Sequence, residues 1–306
     1  MPKSSNTVFI ILAFIAIYVI LGSTYLLNKI AVTELPPFML AGIRFVVAGI
    51  VIFGICKIMS ITIIISSRQL LNTIFAGFLF LTLGNGLAVW ALQYIDSGFA
   101  ALEISAQPLI VLLLMRLLQG KKIQAMSVVG VILGAIGIYL LVSQKQLITK
   151  EGSIMGMLMI FVCMLSWGYG SLFVGKADLP SNYFVNTAYQ MVFGGAMMLL
   201  LSPMLGEQWS SPIVWSTTTL WAMLLLIVFG SIVAFTSFNY LLKTVSPEKV
   251  ATSTYVNPII ALLLGWYFLN EEITLQSVIA AIVLLTGVYF INTKKKWVAR
   301  PRYRNR

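Results

Sequence analysis

Apolar residues run in ten long stretches, and the polar residues gather between them. The approximate limits of the stretches are 8–28, 38–56, 70–92, 98–117, 125–143, 154–174, 184–203, 218–241, 250–269 and 275–293. Each comes close to the roughly 20 residues that a helix needs to cross a hydrocarbon core about 30 Å thick. The first follows Lys3 closely, ends without a small-residue cleavage site and is succeeded by nine more. It reads as a retained first span, not a signal peptide. The pattern predicts an all-α integral membrane protein of ten transmembrane helices. Linkers are short, the longest lying near Gln144–Ser153 and Leu205–Thr217.

Composition removes the competing classes. Of 306 residues, 59% are hydrophobic and 9% charged, with a mean hydropathy of +0.97. Soluble domains carry about 25% charged residues. Ten spans leave no room for a soluble catalytic or nucleotide-binding domain. His is absent, which removes imidazole relays, His metal ligands and Ser-His or Cys-His nucleophile pairs. The two cysteines, Cys56 and Cys163, lie in apolar runs without ligand spacing and read as inert buried thiols. No catalytic residue, metal site or cofactor is expected.

The net charge of +11 is no nucleic-acid signal, because seven basic residues sit between Lys294 and Arg306. That segment reads as a cytoplasmic tail on an anionic leaflet. With the N-terminus in the cytoplasm, the inner side holds sixteen basic residues: Lys3, Lys57, Arg68, Arg116, Lys121, Lys122, Lys176, Lys243, Lys249 and the tail. The outer side holds three, Lys29, Lys145 and Lys150. The bias places both termini inside.

The polar stretch Gln144–Ser153 divides the chain into 1–143 and 154–293, followed by the tail 294–306. The two parts resemble each other. Displaced by 150 positions, Ala101–Val142 lies on Ala251–Asn292 without a gap, with about a dozen identities in 42 positions, among them Pro108/Pro258, Ile110/Ile260 and Gly137/Gly287. Upstream, a displacement of 146 puts Gly22 on Gly168, Gly84 on Gly230 and Gln93 on Asn239. Five spans is an odd number, so the second repeat must enter the bilayer upside down. Inverted repeats are how secondary transporters place one central site and alternate access to it.

Candidate solute-binding residues follow from polarity inside the spans. Gln107–Pro108 and Asn257–Pro258 occupy equivalent positions, and a helical proline frees the carbonyl four residues back, here those of Ile104 and Thr254. Pro108 and Pro258 read either as hinges lining a cavity or as static kinks. Glu103 is the one acid placed within a span, with Ser253 as its repeat equivalent. Burial there is expensive. Glu103 therefore pairs with Arg44, the one basic residue in a span interior, or lies near the membrane surface, or serves as a solute or proton site. Asn85, Val89 and Gln93 form a half-polar stripe on span 3, matched by Ser231, Phe235 and Asn239 on span 8. Two readings stand: walls of one cavity, or amides holding helices together. Among the aromatics, Trp90, Tyr94 and Tyr240 read as interfacial belt residues. Trp167 and Tyr169, placed mid-helix, and Tyr25 read as cavity residues that suit amphipathic or cationic solutes. Tyr189 and Tyr255 lie near the same level. Gly130, Gly134 and Gly137 provide small-residue packing in span 5, either within the chain or in a homodimer through spans 5 and 10.

These residues, in this order, resemble the drug/metabolite transporter superfamily in its ten-span EamA-type branch of bacterial permeases. The resemblance covers 8–293. It rests on Gly22-Ser23-Thr24-Tyr25, Pro36, Arg44-Phe45, Gly84-Asn85, Ala91-Leu92, Ser97-Gly98-Phe99-Ala100-Ala101 and Pro108. In the second half it rests on Ser166-Trp167-Gly168, Val245-Ser246-Pro247, Asn257-Pro258 and Glu271-Glu272-Ile273-Thr274. It implies two inverted five-helix repeats, location in a bacterial inner membrane and export of small organic metabolites, with an inner-membrane metabolite or amino-acid exporter subgroup the nearest likeness. No ATPase is implied. Gly120-Lys121-Lys122 departs from the pattern, because a family glutamate is missing there. Glu103 also falls where an apolar residue is expected, so its role stands on burial cost alone. A channel, a scaffold and an intramembrane enzyme are the competing classes. The enzyme lacks clustered acid, base or metal ligands.

Overall fold

The computed structural model describes residues 4–120, 125–144, 151–245, 250 and 253–292. Among them, seven helices are long and apolar enough to cross a membrane: α1 (Thr7–Val32), α2 (Pro37–Ile58), α3 (Ser67–Ala91), α4 (Ser97–Gln119), α6 (Ser153–Val174), α7 (Tyr183–Met204) and α8 (Thr217–Leu241). Three shorter apolar helices accompany them: α5 (Ala125–Val142), α9 (Ser253–Leu269) and α10 (Leu275–Asn292). The chain is an all-α, multi-span membrane bundle. The tail from Lys294, the loop residues 145–150, Lys121, Lys122, Ser246, Pro247 and the Tyr255 side chain lie outside the described residues.

Local chemistry sets the helix ends. Pro37 opens α2 at the first-turn position, where its missing N–H costs nothing. Ser66 caps α3 through a reciprocal capping box with Gln69. Asn182 accepts from the Phe184 and Val185 amides to start α7, and Ser216 accepts from Thr219 N at 3.2 Å to start α8. Gly120 and Asn270 end α4 and α9 in the left-handed region, at φ 64° and 54°.

Two helix pairs are held by glycines. A Cβ on Gly195 of α7 would lie 2.8 Å from Val46 N and 2.9 Å from Gly42 O of α2. A Cβ on Gly287 of α10 would lie 2.7 Å from Gly130 O and Gly134 N of α5. Only glycine lets these backbones approach so closely. The glycine step of span 5 is thus consumed inside the chain. The outer faces of α5 and α10, with Ile132, Ile136, Ile279 and Ile282 exposed, take no part in that packing.

Four of the remaining six helices are interrupted. Wide π-turns occupy Ala16–Ile20 in α1, Phe78–Asn85 in α3 and Leu226–Val233 in α8. α4 breaks between Ile104 and Gln107. Irregular backbone at membrane depth is tolerated where protein or cavity water satisfies it, and π-turns concentrate at functional sites. α6 and α9 run without interruption, Pro258 included.

Candidate functional site

Arg44 points from α2 into the bundle and is 3% exposed. Its Nε donates to Ser231 Oγ at 2.7 Å and its Nη1 to Asn28 Oδ1 at 3.2 Å. Its guanidinium carbon stands 4.6 Å from the centroid of its neighbour Phe45. The π-turn of α8 presents Ser231, and Gly230 leaves room, since a Cβ there would lie 3.1 Å from Nη2. Arg44 thereby ties α2 to α1 and α8 through neutral partners.

Glu103, in the first segment of α4, is 4% exposed, and its Oε2 has no hydrogen-bond partner. Among the described residues neither Glu103 nor Arg44 forms an ion pair, so the pairing of the two is not realised. Protein surrounds the Glu103 side chain. A buried carboxylate oxygen without a donor is costly and calls for a proton or a cationic guest.

The two amide–proline steps make matched contacts. Gln107 Nε2 donates to Met164 O of α6 at 3.0 Å. The Asn257 amide, oriented with its nitrogen toward the carbonyls, donates to Ile17 O at 3.0 Å and Tyr18 O at 3.1 Å in the π-turn of α1. The displacement of 150 converts Gln107 into Asn257, and that of 146 converts Tyr18 into Met164. The glycines follow the same rule. A Cβ on Gly22 would meet Ile260 Cβ at 2.8 Å, and one on Gly168 would meet Ile110 Cγ2 at 3.3 Å. Pro108 coincides with the break in α4, where Ser105 Oγ turns back to Leu102 O at 2.6 Å and Ala106 N to Glu103 O at 3.0 Å. Pro258 causes no break.

Trp167 stands between α3 and α8, 4.7 Å from the Phe80 ring and 6.3 Å from that of Phe238, which in turn lies 6.2 Å from Phe235. Gly84 makes room for the indole. Tyr25 is half-buried against the core. Ser253 is buried, and its carbonyl receives the Asn257 amide at 3.3 Å.

The polar stripes do not hold as walls. Asn85 is half-buried and Val89 is buried, but Gln93 lies beyond the end of α3, exposed in a turn. Helical spacing predicts a shared face only while the helix lasts. On α8, Asn239 donates to Thr187 Oγ1 of α7 at 2.7 Å and acts as helix glue, whereas Ser231 belongs to Arg44. Tyr169 is 43% exposed on the outside of α6. It is therefore not a cavity residue, because α6 turns that face outward. Trp90 meets Phe38 edge-on at 5.7 Å and Tyr240 meets Tyr183 at 5.6 Å.

Three participants were missed. Asn28 lies at the edge of the first apolar run. Asn186 and Gln190 on α7 are buried and bonded to each other at 3.3 Å. Both are amides inside an apolar run, the same signal that singled out Asn85.

The sequence model of the EamA-like transporter family matches residues 8–143 and 154–293. The inner membrane transporter YedA of Escherichia coli K12 is 33% identical over 290 residues, 92% of each chain. The chain belongs to the EamA-like transporter family. Two further relatives are transporters of Bacillus subtilis. YvbV is 27% identical, covering 97% of this chain and 94% of its own, and YoaV is 22% identical, covering 93% and 96%. A solved crystal structure at 18% identity shares the fold, with a TM-score of 0.64 over 94% of this chain and 96% of its own. This EamA-family chain is a multi-pass protein of the inner membrane. It is a transporter, not an enzyme.

Proposed function

We propose that this protein is a secondary transporter exporting a small amphipathic or cationic organic metabolite, amino-acid-like compounds included, by alternating access. Its ten apolar helices form two repeats, 1–143 and 154–293, of opposite orientation, with both termini and the basic tail 294–306 on the cytoplasmic side against anionic lipid. One observation carries the reading: the contact of Gln107 with Met164 recurs as the contact of Asn257 with Tyr18. Unrelated helices have no reason to repeat an amide–carbonyl bond at positions that two sequence displacements connect. The charge bias supports the orientation, and an odd number of spans per repeat supports the inversion.

The interior supports the solute class. Glu103 offers a carboxylate oxygen without a hydrogen-bond partner, Tyr25 is half-buried against the core, and Trp167 supplies an aromatic face. Arg44 is engaged by Ser231 and Asn28 and serves as a fixed post between α1, α2 and α8. Purified protein is screened by thermal shift with amines, quaternary amines, amino acids and nucleosides. A bound solute raises the melting point in proportion to ln(1 + [L]/Kd). The hit is then tested for saturable counterflow in proteoliposomes. Stabilisation by cations, lost in Glu103→Gln, is expected. Flux without saturation or counterflow identifies a channel and refutes the carrier.

A further inference from the structure

Three carboxylates bind backbone N–H groups at the starts of other helices. Glu207, after α7, accepts from Phe38 N and Met39 N of α2, both at 2.9 Å. Glu34, between α1 and α2, accepts from Ser216 N at 2.9 Å and from the hydroxyls of Ser216 and Thr219 at the start of α8. Glu271, in the turn between α9 and α10, accepts from Ser97 N at 2.7 Å and Gly98 N at 3.0 Å at the start of α4. A carboxylate held by two amides at a helix N-terminus is a charge-assisted contact favoured by the helix dipole. Each of the three joins a residue of one half of the chain to a helix of the other.

The Glu271 contact is built by three positions together. Asn270, at φ 54°, turns the chain so that Glu271 passes beneath α9. Gly265 leaves the space, because a Cβ there would collide with the carboxylate. Ser97 and Gly98 supply the donors. The repeat relation identifies the counterparts. Gly120 makes the same left-handed turn, at φ 64°, but Lys121 follows it in place of Glu271. Met115 stands in place of Gly265, and Pro247-Glu248 stands in place of Ser97-Gly98. Lysine cannot accept a hydrogen bond, proline has no N–H to give, and methionine carries the Cβ that Gly265 lacks. The acceptor, the first donor and the glycine are thus all replaced in the other half. Where Asp178 links the α6–α7 connection to the start of α3, it does so through Gln69 Nε2 at 3.1 Å on an exposed surface, without a capping carboxylate.

We propose that Glu271, with Ser97 and Gly98, is a one-sided latch. It holds shut the face carrying the turns 92–96 and 270–274, and among the described residues the opposite face has no equivalent. Two inverted repeats of identical chemistry would favour neither side. This asymmetry makes the solute-free protein wait open to the unlatched face, which is the cytoplasmic one for an exporter. The proposal rests on the alternating-access reading.

The experiment places spin labels at Gln93→Cys and Ile273→Cys, on the two latched turns, in full-length protein in nanodiscs. The distance distribution is measured alone and combined with Glu271→Gln or with Ser97→Pro. Proline is compatible with the first position of a helix, so Ser97→Pro removes a donor while keeping the acid and the fold. One short distance is expected in the parent, with the long-distance population rising about tenfold in either variant. Unchanged distributions in a monodisperse variant overturn the latch. Shifted distances in a protein without counterflow for any solute leave the latch contact standing and overturn the carrier reading.

Discussion

α4 and α9 carry the same amide–proline step and make the same contact with their partner helices, yet they distort differently. α4 is broken at Ser105–Ala106 and packs on an uninterrupted α6. α9 is unbroken and packs on α1, which is wound into a π-turn at Ala16–Ile20. The irregularity thus sits on the amide-bearing helix in one half and on its carbonyl-bearing partner in the other. A proline that frees a carbonyl makes a break available without compelling one, and the side chains around it decide. At 105–106 the Ser105 hydroxyl turns back on its own helix. At Asn257 the amide satisfies carbonyls that the π-turn of α1 exposes. Similar sequences in dissimilar shapes are what one end state of an alternating pair requires.

The strongest way to break this comparison is to remove what anchors α1, α2 and α8 around it. Arg44→Ala strips Asn28 and Ser231 of their partner inside the bundle, and an unfolding penalty of about 3 kcal/mol is expected. A thermal-melt shift indistinguishable from a surface substitution contradicts that. Next come the amides. Asn257→Leu removes a donor from two π-turn carbonyls and Gln107→Leu from one, so the former should cost more, within roughly 0.6–2 kcal/mol. Equal effects mean that the π-turn does not depend on Asn257. Pro108→Ala sharpens the asymmetry by letting α4 close its break. It should slow transport severalfold, whereas Pro258→Ala, in a helix already continuous, should change the rate little. The initial rate of counterflow reads both.

The smallest effect is on pH. Hydrogen bonds from the Thr219 hydroxyl first, then from the Ser216 hydroxyl and amide, hold the Glu34 carboxylate below its ordinary range. A lowered value means that the contribution is present above the unfolded-chain value of about 4.3. It is lost only as pH falls through the lower, folded value. Melting curves of wild type and Glu34→Gln should therefore differ by a constant offset from neutral pH down to about 4.3, and converge below it.

Much of the fold was legible because lipid leaves few options. Helix limits read from apolar runs agree with the structure within a few residues, α1 ending at Val32 rather than near 28. The repeat was legible through prolines and glycines, which hold their positions for backbone reasons, and not through leucines, which any span shares. The site was less legible. Polarity within a run marks a residue as costly but does not tell which neighbour takes it up. Asn239 found Thr187, Gln93 fell off the end of its helix, and Arg44 found Asn28, whose place at the edge of a run concealed it. The π-turns in α1, α3 and α8 left no local signature, since they answer to contacts from helices distant in sequence.

The central claim is that both halves enclose one pocket reached from either side in turn. Its most direct test is Asn85→Cys at the end of the α3 π-turn, in a protein whose native Cys56 and Cys163 are buried. The label is a membrane-impermeant thiol reagent applied from one side of oriented vesicles and then from the other. The account predicts reaction from both sides, with solute shifting the ratio between them. Reaction from one side alone, unmoved by any solute that stabilises the protein, would contradict it.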